Sequence, residues 1–284
     1  MFLHKNDSLR GYSIRAADGD FYMTGVRKPK SREAFNLNMN DAETLVSIAK
    51  LLENERIYRM RAELRTRIGT ALRIPKAKHS ALECLENQQV FITFKPGSAQ
   101  LRGSLIHENL RPLLRQALVA GCAAVETYVA DRTMELLGPV LRAKEKPPRL
   151  LELTMTVQQY LKVQSYQRKN WGLRDLIADQ VLLKASTSPS SIGMLMSMVG
   201  VPKVWATVDA KRGVAKGSSE TALEAITQRR NRIAHSGDRQ GRGRALITVG
   251  EVERDLAYLV DIVSALDHVT KQCAAANSPN PTRT

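Results

Sequence analysis

Three side chains in one short run, Arg230, Asn231 and His235, have the types and the spacing to work on a phosphodiester. A guanidinium is a planar, permanently charged fork that matches two phosphate oxygens. An imidazole, with an ordinary pKa of about 6.5, both accepts and donates protons near neutral pH. RNA carries its own nucleophile, the 2′-hydroxyl beside each phosphate. Cleavage by its attack needs a base for that proton, an acid for the departing 5′-oxygen, and cations for the charge on phosphorus. Asn231 adds an amide that can fix an imidazole tautomer or touch the substrate.

The element that must position these groups is a helix. Thr221 followed by Glu224 reads as a capping box that opens it. Gly237 offers the positive φ that closes it, and Leu223, Ile226 and Ile233 recur at helical spacing between the two. At about 100° per residue, Arg230 falls about 20° from Leu223 and about 40° from Ile226, inside the apolar arc. A guanidinium there is costly unless it is paired, hydrogen-bonded or set at an interface or cleft. Asn231 and His235 are neighbours on one side of the helix. Arg230 and His235 stand about 140° apart round the axis and about 7.5 Å apart along it. A long arginine side chain, or a second copy of the helix, is needed to aim both at one point.

Arg230-Asn231-x-x-x-His235 resembles the R-x4-6-H signature of the HEPN superfamily, with the polar residue that family favours directly after the arginine. The resemblance spans roughly residues 101–276, where the motif lies late on one amphipathic helix and a second such helix follows. It implies a HEPN-like helical bundle and metal-independent endoribonuclease chemistry, with Arg230, Asn231 and His235 as the catalytic residues and no cofactor. It also implies a homodimer in which two copies of Arg230 and His235 pool one site. That arrangement meets a shortage, because His4, His79, His107 and His268 have no comparable setting and read as surface or packing residues. Toxin–antitoxin or phage-defence roles follow from the same resemblance, with an antitoxin or other regulatory protein as a partner.

Charge agrees with an RNA partner. The chain of 284 residues carries a net +15, and both halves are basic, with 17 Lys+Arg against 11 Asp+Glu in residues 1–100 and 26 against 17 in the remainder. A pI near 10 favours a polyanion. Arg229, Arg232, Arg239, Arg242 and Arg244 flank the motif and are the expected RNA-binding residues; the glycines between the last three leave the backbone mobile. Three scattered cysteines without a C-x-x-C spacing argue for reduced thiols and against structural zinc. With no apolar run of spanning length and no signal-like N-terminus, a cytoplasmic protein without membrane contact is expected.

The fold class expected is mainly α: a HEPN-like helical bundle with an N-terminal α+β/helical extension. A soft boundary falls near residue 100, and residues 277–284 read as a disordered tail. In the extension, Asp18-Gly19 suggests a hairpin within residues 10–26, and Arg27–Arg32 an exposed basic loop. Asn40 with Glu43 opens a long basic helical pattern running to about Arg73. Residues 79–87 suggest a short helix and Val90–Phe94 a strand. Pro112 places the next helix start near Arg111, and small residues from Ala120 to Ala124 let another helix approach closely. Glu126, Tyr128, Asp131 and Arg132 lie about a turn apart, a spacing that suits the lining of a cleft, but surface pairing and packing is the favoured reading. Met194, Met196 and Met198 read as core filler, and Thr248 with Glu251 caps the last helix. Two other functions fit the same residues: a non-catalytic HEPN-like module that binds RNA or a protein, and a DNA-binding protein that uses the basic helix at residues 41–73.

Overall fold

The computed structural model describes residues 30–53, 56–58, 61–82, 84–86, 91–93, 110–167 and 169–276. The expected hairpin within residues 10–26 and the tail lie outside them. Over the described residues the chain is mainly α, with sheet confined to short strands.

The first helix, α1 (Ser31–Glu53), starts nine residues before Asn40. Phe35, Met39, Ala42, Val46 and Ala49 recur every three or four residues and are all buried. The start is anchored from outside: Ser31 donates both its amide and its hydroxyl to the Glu135 carboxylate, at 2.7 and 2.9 Å. The long basic pattern is also interrupted. Strand β1 (Arg56–Tyr58) separates α1 from α2 (Ala62–Ala71). A 3-10 turn (Lys76–Ala81) and β2 (Cys84–Glu86) replace the expected short helix at 79–87, and β3 (Phe91–Thr93) falls within the expected strand. The three strands pair antiparallel in the order β1-β2-β3. His79 is a packing residue, buried against Gly69 and within 2.8 Å of the Ile74 carbonyl oxygen.

The bundle is built round α3 (Arg111–Arg142), which starts where Pro112 requires. Next come α4 (Pro148–Leu151), α5 (Val157–Ser165), α6 (Lys169–Lys184), α7 (Pro189–Met198) and α8 (Val204–Arg212). The motif helix α9 (Ser218–Ser236) follows, then the strands β4 (Arg239–Gln240) and β5 (Gly243–Arg244), and finally α10 (Val249–Ala276). Helix α1 lies along α3, and α6, α7, α9 and α10 also pack on α3, so residues 31–53 share one core with the bundle. Met196 and Met198 are buried in that core, and Met194 packs against it. Gly121 is the close approach of α3 to α10, since a Cβ there would overlap the Leu256 side chain. By length and composition α3 could cross a membrane, but 61% of its most apolar window is buried inside the bundle, where a core helix belongs.

Candidate functional site

Helix α9 is started by a residue of another helix, not by Thr221 and Glu224. The buried Asp209 of α8 accepts the amides of Gly217 (2.6 Å) and Ser219 (3.0 Å), which meets the first free N–H groups of α9. Burial works against its charge, but hydrogen bonds from the Ser219 side chain and from those two amides, with Arg212 nearby, hold the Asp209 carboxyl below its usual range. Glu224 accepts instead from Gln228 on the same helix (3.0 Å). At the far end Gly237 takes φ 60°, and the amides of Gly237 and Asp238 donate to the carbonyls of Ile233 and Arg232, at 3.1 and 3.0 Å.

Leu223, Ile226 and Ile233 are buried, and Arg230 lies among them with its side chain 23% exposed. Its partner comes from 104 residues upstream: Nη2 donates to Glu126 Oε1 of α3 at 2.6 Å. Nη1 donates to Asn231 Oδ1 at 3.0 Å, while Nε is buried without a partner. Cys122 of α3, four residues before Glu126, is fully buried in the bundle core. Burial there pushes the Cys122 thiol up to about 12, with Arg230 lowering it and Glu126 and Asp255 raising it. Asp255 of α10 also stands above its usual carboxyl range, first from burial and then from Glu251, against the pull of Arg254 and Arg229.

Asn231 and His235 are exposed on the same helix, and no described side chain bonds His235. Of the five arginines expected to contact RNA, Arg232, Arg239, Arg242 and Arg244 are exposed, and no described carboxylate pairs with them. Arg229 is placed differently. It is half-buried and donates to Asp238 Oδ2 (2.8 Å) and to the Leu246 carbonyl (2.7 Å). The glycine-rich run is not a mobile thread: Arg239 pairs with Arg244, and Gln240 with Gly243, in an antiparallel hairpin.

No family model, curated protein or solved structure matches this chain.

Two members of the cluster were not singled out by sequence as site residues. Glu126 lies four residues from the buried Cys122 and three from the buried Val129, so helical spacing leans it toward the core. Asp238 is the lone carboxylate between Arg229 and Gly250. Two other polar residues of that stretch of α3 face elsewhere: Tyr128 is buried edge-on to Phe35, and Arg132 bonds Thr270 and Glu135. Helix α9 and the hairpin together present a half-buried guanidinium held by a carboxylate, an exposed imidazole, and four exposed arginines without a described carboxylate partner. Side chains of these types have the chemistry to bind a phosphate and to exchange protons beside it.

Proposed function

We propose that the chain is a metal-independent endoribonuclease of HEPN type, with a site pooled across a homodimer. The observation that carries this reading is the Arg230 pair: a guanidinium inside an apolar stripe, held at 2.6 Å by Glu126 and bonded to Asn231, on the same helix as an exposed His235 five residues on. Packing alone does not favour an ion pair there, since two well-fitted apolar side chains cost less to bury. A site that needs a fixed cation for phosphate explains it.

In this reading Arg230 holds the scissile phosphate and balances the charge that grows on its oxygens. One His235 takes the proton from the 2′-hydroxyl as the P–O2′ bond forms. The His235 of the second subunit gives a proton to O5′ as the P–O5′ bond breaks, leaving a 2′,3′-cyclic phosphate and a free 5′-hydroxyl. Asn231 orients Arg230 through its Oδ1 and keeps its amide group for the substrate. RNA is the partner that the charge and the exposed arginines favour, and a toxin or phage-defence effector held by a regulatory protein is the setting that the family resemblance suggests.

The test is incubation of the purified protein with mixed RNAs and a chelator, followed by mapping of product ends. Cyclic-phosphate ends are expected from the wild type. Arg230→Ala and His235→Ala are each expected to lose cleavage by at least about 100-fold, with the circular dichroism spectrum of the wild type. Undiminished cutting by both variants would remove the proposal. Wild type that retards RNA but never shortens it would leave a binding module.

A further inference from the structure

The run Arg229–Gly250 holds six arginines, one histidine and a single carboxylate, Asp238. Nothing in the cleavage chemistry uses Asp238, yet its side chain is 1% exposed and sits between two cations. Arg229 of α9 reaches Oδ2 at 2.8 Å, and Arg115 from the first turns of α3 brings its Nε to 3.4 Å from the same oxygen. The same two guanidiniums also grip the chain beyond the hairpin: Arg115 Nη2 donates to the Ala245 carbonyl (2.8 Å) and Arg229 Nη2 to that of Leu246 (2.7 Å). The Ala245 amide then closes the base by donating to the Asp238 carbonyl at 2.8 Å. Both stems of the hairpin are thus fastened at one buried point, to the start of α3 and the end of α9.

What the fastening holds is a set of like charges. Arg232, Arg239, Arg242 and Arg244 are exposed, without a described carboxylate partner. Arg244 folds back over the end of α9: a Cβ built on Gly237, two residues past His235, would stand 3.9 Å from its Nε and Nη2. Left to themselves, six neighbouring arginines repel one another and a hairpin of paired strands only two residues long would swing clear of the helix. The Asp238 carboxylate, bridging Arg229 of this run to Arg115 of α3, offsets part of that repulsion, while Arg232, Arg239, Arg242 and Arg244 stay exposed.

We propose that Asp238 is a positioning residue: its bridge to Arg115 and Arg229 latches the hairpin beside His235, so that Arg239, Arg242 and Arg244 form a rail for the backbone of single-stranded RNA. The assignment rests on the nuclease reading for its substrate, and it moves Arg229 from the RNA to the latch. The rail grips phosphates and not bases, so it adds affinity without sequence preference, and each contact releases counterions.

The experiment measures binding of a labelled 2′-O-methyl oligouridylate to the full chain over a range of salt. That probe lacks the nucleophilic hydroxyl, so the result is independent of cleavage. Each phosphate contact to a single strand contributes about 0.7 to the slope of log affinity against log salt. Neutralising Arg239, Arg242 and Arg244 together to Gln should lower the slope by up to about 2. Asp238→Asn should lower it as far, although it keeps every one of those arginines; a merely stabilising residue would leave the slope of the folded protein unchanged. If Asp238→Asn fails to fold, Ala245→Pro, which removes the amide that closes the base and also stiffens the backbone at 244–245, should give the same loss. Wild-type slope in the triple variant, or in a folded Asp238→Asn or Ala245→Pro protein, overturns the latch and rail, as does wild type that does not bind the probe. Binding with the predicted losses but no cut RNA in the product-end assay would retain the rail and discard the nuclease.

Discussion

Arg230 and Glu126 are each about three-quarters buried, and that degree of burial sets what their pairing is worth. The Coulomb attraction is stronger than at a fully solvated surface, while neither charge is so desolvated that removing one partner is ruinous. Glu126→Gln keeps the shape and a carbonyl acceptor but drops the charge. It should cost roughly 1–2 kcal/mol in urea unfolding, below the range for fully buried pairs. It should slow cleavage by about 10–100-fold, because an unrestrained guanidinium is misplaced for the phosphate. Cleavage at the wild-type rate would mean that the carboxylate takes no part in the site. The buried Cys122 gives a second prediction. Cys122 is fully buried and its thiol is pushed up to about 12, so almost no thiolate forms near pH 8, whereas Cys273 is only partly buried. In a Cys84→Ser background, Cys273 should react with a thiol reagent first and Cys122 only on unfolding. Equal rates for the two in the native protein would show that the core around Cys122 is open to water.

At the scale of the element, what was legible in the sequence was local. Pro112 marks the start of α3, Thr248 and Glu251 form the expected reciprocal cap before α10 (2.9 and 3.2 Å), and Gly237 ends α9. Each of these signals is carried by residues within one turn of the feature they specify. The stripe that buries Leu223, Ile226 and Ile233 was legible for the same reason, and so was the odd position of Arg230 on it. What was not legible depends on residues brought together by folding. The α9 start is held by Asp209 of another helix, the α1 start by Glu135, and Arg230 by a residue 104 positions away. Spacing arguments have no access to such pairs. The cap makes a test at this scale. The folded-state pKa of Asp209 is depressed, so its contribution is present above the unfolded pKa and is lost as pH falls through the folded one. Asp209→Ala should therefore destabilise by about 1–2 kcal/mol near neutral pH, and the difference from wild type should shrink as the solution is acidified past the ordinary aspartate range. A difference that persists unchanged in strong acid would place the effect in packing, not in charge.

At the scale of the whole molecule, the proposed site asks two strongly cationic chains to meet and then to hold an anion. These two steps respond to salt in opposite directions. Each subunit carries a net +15, so self-association is opposed by repulsion that salt screens, and a dimer tightens as ionic strength rises. RNA binding releases counterions and weakens as salt rises. With protomer held below the dimerisation constant, the cleavage rate should therefore pass through a maximum in salt. With protomer in excess, association is complete and only the decline should remain. The concentration dependence gives the sharper reading. Below the dimerisation constant the number of pooled sites grows as the square of the protomer concentration, and above it in simple proportion. A plot of initial rate against protein on logarithmic axes should bend from a slope of about 2 to about 1, at the concentration where sedimentation shows half the protein dimeric. A slope of unity throughout, from a species with the mass of one chain, would mean that Arg230 and His235 of a single subunit do whatever work is done. The second proton-transfer group would then have to come from that same chain, and Asp255, a carboxyl raised by burial beside Arg229, would be the first residue to replace.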